Sequence, residues 1–172
     1  MAALEPVPTS LTRDAFVATF GRVYEHSPWI AEALYDRGLA AAHETLDGLA
    51  AAMREVVEDG GATRQLALLR AHPDLAGKLA MAGELTSESR GEQASAGLDR
   101  CSAAEFARFQ QLNTLYTRRF GFPFILAVKG KTRAEILAAF ETRVAHDPAV
   151  EFRTALDQVH RIAYLRLGDL CR

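Results

Sequence analysis

The chain has few of the residues that build covalent or metal scaffolds. Its two cysteines, Cys101 and Cys171, are far apart and outside any CxxC spacing. No disulfide framework is implied, and a reducing cytosol suits the sequence. The five histidines, His26, His43, His72, His146 and His160, include no pair three or four residues apart. That removes the two-histidine helix face of many zinc sites and leaves metal binding to distant residues alone. No apolar run approaches the roughly 18 residues of a membrane span, and the opening MAALEPVPTS carries an acid where a secretory leader carries base. The closing Asp169-Leu170-Cys171-Arg172 is not the Ser-Lys-Leu peroxisomal address. A cytoplasmic protein without a membrane partner is expected. Charge of one sign is also lacking: 20 basic and 22 acidic residues leave a formal net charge of −2, which gives no field for phosphate backbones and disfavours nucleic acid as a partner. GxSxG and GxGxxG are absent, and Gly130-Lys131-Thr132 has Ile125 where a phosphate loop needs glycine, which disfavours nucleotide chemistry.

What is present describes a globule. With 172 residues, 49% hydrophobic and 24% charged, the chain can bury its own core as one domain, 1–172. The punctuation is helical. Ser27-Pro28 predicts a capped start and Gly38 an end. Leu46, Leu49, Ala50, Met53, Val56 and Val57 recur at helical spacing until Gly60-Gly61. Ser102 to Glu105 and Thr132 to Glu135 are capping boxes; the first leads into Phe106, Phe109, Leu112, Tyr116 and Phe120 and ends at Gly121. Asp147-Pro148 opens a last helix to about Leu170. Strand signals are confined to Phe122–Val128, an apolar run broken early by Pro123 and read as extended or irregular chain. The start and stop signals predict an all-α, irregular bundle of about eight or nine helices.

Three features carry candidate chemistry, each with a plain structural alternative. His72 stands before Pro73 after a helical stretch, so its imidazole lies at a helix exit, as a cap or packing residue or as an acid–base group. Ser89-Arg90-Gly91-Glu92 reads as a capping box. With Gln93 and the small residues Ala94 to Gly97 it is either a helix start or a pocket wall offering a carboxylate and an amide. On the last helix Arg166 falls on the apolar stripe of Phe152, Ala155, Leu156, Val159, Ile162 and Ala163. A core-facing arginine needs an anion: a structural carboxylate partner, or the oxygens of a ligand received by its planar fork. Arg153 and Arg161 face solvent by the same geometry.

Several longer motifs stand in order along the chain: His72-Pro73-Asp74-Leu75-Ala76-Gly77-Lys78, Leu85 to Ser89 with Glu92-Gln93 and Ala96 to Asp99, Leu112-Asn113, and Arg119 to Ile125. Taken together they resemble the OHCU decarboxylases, enzymes of 2-oxo-4-hydroxy-4-carboxy-5-ureidoimidazoline. Glu25 to Ile30 and Leu165-Arg166-Leu167 also match, so the resemblance spans about residues 10–172. It implies a cofactor-free helical bundle, a homodimer, and decarboxylation of OHCU to (S)-allantoin in urate breakdown. Carried onto this chain, His72 resembles the proton donor and Glu92 its acidic partner. Pro73, Ser89, Gln93, the backbone of Phe124, Ile125, Leu126, Ala127 and Val128, and Arg166 resemble substrate contacts. The competing expectations are a helical protein–protein interaction module and a lyase for a different ureido acid.

Overall fold

The computed structural model describes residues 3–77 and 83–171; Lys78 lies outside them. Among the described residues are eight α-helices and no sheet, so the chain is all-α. They are α1 (Arg13–Phe20), α2 (Trp29–Arg37), α3 (Leu46–Asp59), α4 (Gly61–Arg70), α5 (Ser87–Ser95), α6 (Ala103–Phe120), α7 (Arg133–Arg143) and α8 (Pro148–Gly168). Two compact units emerge, Met1–Ala71 with Val159–Arg172, and His72–Gln158.

Local chemistry sets most helix starts. Thr12, Thr45, Thr86, Ser102 and Thr132 each accept the N–H of the residue three positions on, satisfying a donor that the helix itself cannot. At Ser102 and Thr132 the third residue, Glu105 or Glu135, reciprocates to the cap's backbone N–H. Gly121, at φ +79°, closes α6 in the left-handed conformation. The pattern from Leu46 ends at Gly60-Gly61 as expected: α3 stops at Asp59, and Gly61, at φ +77°, begins α4. Two expectations are corrected. Ser27 does not cap α2: its hydroxyl donates to the Glu25 carbonyl at 2.8 Å, and the helix starts at Trp29 after Pro28. Ser89 is not the cap of α5; Thr86 is, and this places Ser89 in the first helical turn.

The first unit packs Phe16, Phe20, Leu34, Leu49, Met53 and Val56 into its core. Its buried polar groups are paired, as burial demands. The Tyr24 hydroxyl lies 2.8 Å from Nδ1 of His160, whose Nε2 lies 3.1 Å from Glu58. Burial pushes the Tyr24 phenol well above its ordinary pKa.

In the second unit Tyr116 is completely buried. It packs against Phe120, Phe122, Phe124 and Phe140, with ring centroids 4.6 to 5.8 Å away, in the tilted and edge-on geometries that aromatic quadrupoles favour. Its hydroxyl donates to Glu151, itself at 0% exposure. Glu151 also receives Arg143, at 2.6 Å, and lies 3.0 Å from Nδ1 of His146.

Candidate active site

His72 follows Ala71, the C-cap of α4. It is 8% exposed, so the imidazole is buried, more enclosed than a helix exit alone implies. Pro73 ends any helical continuation. The chain then turns through Leu75 to Ala76, which adopts φ +49°, rare for a residue with a side chain. Asp74 is partly enclosed, and this burial pushes its carboxyl above the usual aspartate range.

On α5, Ser89 and Gln93 lie one turn apart and are both 5% exposed, so one helix face turns inward while Glu92 beside it is half-buried. Gln93 reaches the His72 turn: its Oε1 accepts the Ala76 N–H at 3.0 Å and its Nε2 donates to the Asp74 carbonyl at 3.3 Å. Arg133 donates to the Gly97 carbonyl at 3.2 Å, and a Cβ on Gly97 would meet the same Nη1 at 3.0 Å.

The run from Phe122 to Val128 has no regular secondary structure, as its sequence predicts. Its side chains anchor it: Phe124 stacks on Phe140 at 3.9 Å, and the Arg143 guanidinium lies 4.5 Å from the Phe124 centroid. Nη1 of Arg143 donates to the Ile125 carbonyl. The Ala127 N–H is engaged, donating to Oε1 of Gln158 at 3.0 Å. The amides of Ile125, Leu126 and Val128 donate to no group among the described residues.

Arg166 is 7% exposed and pairs with Glu25 at 2.9 Å. It sits on the buried stripe as its spacing predicts, with a carboxylate partner; Arg153 and Arg161 are exposed. His72, Pro73, Ser89, Glu92, Gln93 and Phe124 to Val128 all fall in the second unit, and Arg166 in the first. Gln110, Arg143, Glu151 and Gln158 were not singled out from sequence. Arg143 and Glu151 carried a usable signal, since Ile136, Phe140 and Arg143 share one face of α7, and Glu151, Ala155 and Val159 one face of α8.

A sequence profile described as OHCU decarboxylase matches residues 9–168. The chain belongs to the OHCU decarboxylase family. It is 48% identical over 159 residues to the 2-oxo-4-hydroxy-4-carboxy-5-ureidoimidazoline decarboxylase of Haloferax volcanii, covering 92% of this chain and 90% of that one. Among solved structures, an (S)-allantoin synthase superposes with TM-score 0.77 at 38% identity, covering 96% of this chain. The match takes in 52% of that longer chain, so this protein spans about half its length. An OHCU decarboxylase solved in the presence of (S)-allantoin gives TM-score 0.67 at 26% identity, over 87% of this chain and 94% of that one. Both structures support the family's helical fold for this chain. No helix among the described residues is long and apolar enough to cross a membrane.

Proposed function

We propose that this chain decarboxylates 2-oxo-4-hydroxy-4-carboxy-5-ureidoimidazoline to (S)-allantoin, with His72 delivering the proton that completes the reaction. The observation that carries the reading is the family match across residues 9–168, which includes the buried His72 turn and the inward Ser89/Gln93 face.

The chemistry needs an electron sink, and the substrate has one. The carbon that bears the carboxylate is bonded to a ring C=N, so cleavage of the C–CO2 bond leaves an electron pair delocalised into that imine. The protein then has to orient the substrate, stabilise the developing charge, and return one proton to carbon. Glu92 accepts a hydrogen bond from the 4-hydroxyl, and His72 protonates one face of the planar intermediate. Ser89, Pro73 and the second N–H of the Gln93 amide contact the ring. The amides of Ile125, Leu126 and Val128, open to an acceptor, suit a developing oxyanion. Arg166 is assigned to the ureido or carboxylate oxygens on its chemistry, a planar fork. We assign the protein to the cytoplasm and infer that it is a homodimer; sedimentation of the purified chain checks the homodimer.

Stereochemistry tests the scheme. Uncatalysed loss of carbon dioxide gives an intermediate that water protonates from both sides, hence racemic allantoin. The protein should yield one enantiomer, read by circular dichroism before spontaneous racemisation. His72→Asn should lose the acceleration, ~100-fold or more, while its far-UV spectrum stays native. A racemic product at an enhanced rate, or near-normal turnover by His72→Asn, would overturn His72 as proton donor.

A further inference from the structure

Three side-chain amides bond the peptide groups of the turn after His72. Gln93 takes the Ala76 N–H and gives to the Asp74 carbonyl. Nε2 of Gln110 donates to the Ala76 carbonyl at 2.8 Å, and Nδ2 of Asn113 donates to the Leu75 carbonyl at 3.0 Å. Gln110 and Asn113 lie three residues apart on α6, the spacing that puts both on one face. The held geometry is costly. A left-handed alanine is unfavourable by about 1–2 kcal/mol, and such a conformation persists only where its surroundings over-determine it. Gly77 tightens the turn further, since a Cβ there would lie 2.6 Å from the Asp74 Cβ.

Asn113 is the informative member. It is 5% exposed, and its Oδ1 has no hydrogen-bond partner. A buried acceptor left unmade costs roughly 1–3 kcal/mol, a cost that leucine of similar size would avoid. What leucine cannot supply is the donor to the Leu75 carbonyl.

We propose that Gln110 and Asn113 are positioning residues for the decarboxylation: with Gln93 they clamp the turn at Leu75 and Ala76 so that the imidazole of His72 is presented in one orientation. The clamp rests on the assignment of His72 as proton donor. Proton delivery needs hydrogen-bond reach, and misplacement by about 1 Å costs on the order of 100-fold in rate.

The test uses Gln110→Met, Gln110→Glu and Asn113→Leu in the full chain, each followed by kcat, KM, product enantiomeric excess, melting temperature and hydrogen exchange at the Ala76 amide. Gln110→Met should lower kcat roughly 10- to 100-fold, with KM and melting temperature nearly unchanged, lowered enantiomeric excess and faster exchange. Asn113→Leu should show the same kinetic loss at equal or higher melting temperature. Gln110→Glu supplies conditional rescue. Its carboxyl can donate to the Ala76 carbonyl only when protonated, so its activity relative to the parent should rise as pH falls. Wild-type kcat in Gln110→Met, a kcat loss that simply tracks lost melting temperature, or a Gln110→Glu profile parallel to the parent would overturn the proposal. Unchanged Ala76 exchange in Gln110→Met would refute the clamp itself. Near-normal turnover in His72→Asn with Ala76 exchange still accelerated in Gln110→Met would instead refute the proton-donor assignment.

Discussion

Arg143 and Arg166 are the two buried arginines among the described residues, 6% and 7% exposed, each against a buried glutamate. Their partners separate them. Arg143 is committed to the scaffold: it binds Glu151, which also holds the Tyr116 hydroxyl and His146, donates to the Ile125 carbonyl, and covers Phe124. Arg166 pairs with Glu25, next to His26 in its left-handed backbone, φ +46°. The pairs share one sequence signature, a charge on an apolar stripe, so the signature reports a buried partner. It does not by itself report a ligand.

The largest expected effect breaks the scaffold pair. Glu151→Ala leaves Arg143 buried without its carboxylate and should cost about 3–5 kcal/mol, read as a lower urea midpoint. The sharper comparison replaces each arginine by lysine, which keeps the charge and loses the fork. Arg143→Lys should destabilise by ~1–3 kcal/mol, because its cluster depends on several directed bonds at once. Arg166→Lys should leave the melting temperature within a few degrees and raise KM about tenfold, as expected when uniform binding is lost. Equal effects of the two lysines on melting temperature, with KM unmoved in both, would place Arg166 with Arg143 as scaffold.

A smaller effect belongs to Asp74, a third charged residue but with its carboxyl pKa raised by burial. The folded state then holds its proton more tightly than the unfolded state, so the group detracts from stability above its folded pKa. The penalty fades as pH falls through that value and is gone below the ordinary aspartate range. Asp74→Asn should therefore raise the melting temperature slightly at pH 7 and match the parent near pH 3 in thermal melts across that range. The smallest effect is that of Ala76→Gly. Relief of left-handed strain, about 1 kcal/mol, offsets the added backbone entropy of glycine, about 0.5–1 kcal/mol, so denaturation should show a near-neutral change.

Most of the fold was legible because the helix ends are marked locally. The Ser102 and Thr132 boxes and Gly121 needed no tertiary information, and Phe122–Val128 was recognisable by its lack of periodicity. Ser27 and Ser89 misled for a common reason: several hydroxyls near a helix start are equivalent in sequence, and only the path of the chain selects the cap. At the site, His72, Gln93 and the irregular run stood out by local pattern. Gln110 did not, and Asn113 entered only through the Leu112-Asn113 motif, because a polar residue on an amphipathic helix reads as solvent-facing until its distant carbonyl partner is known. The Ala127 amide bonds to Gln158, 31 residues on, a pairing that no spacing rule contains.

The Tyr24–His160–Glu58 chain has a use beyond packing. A carboxylate only accepts, so the ring proton on Nε2 of His160 points at Glu58 and is held there by a side chain 5% exposed to solvent. Such a proton exchanges slowly with water and resonates downfield of the amides. It is a built-in label in a proton NMR spectrum, one line that reports whether Tyr24, Glu58 and α8 remain assembled while variants elsewhere are compared.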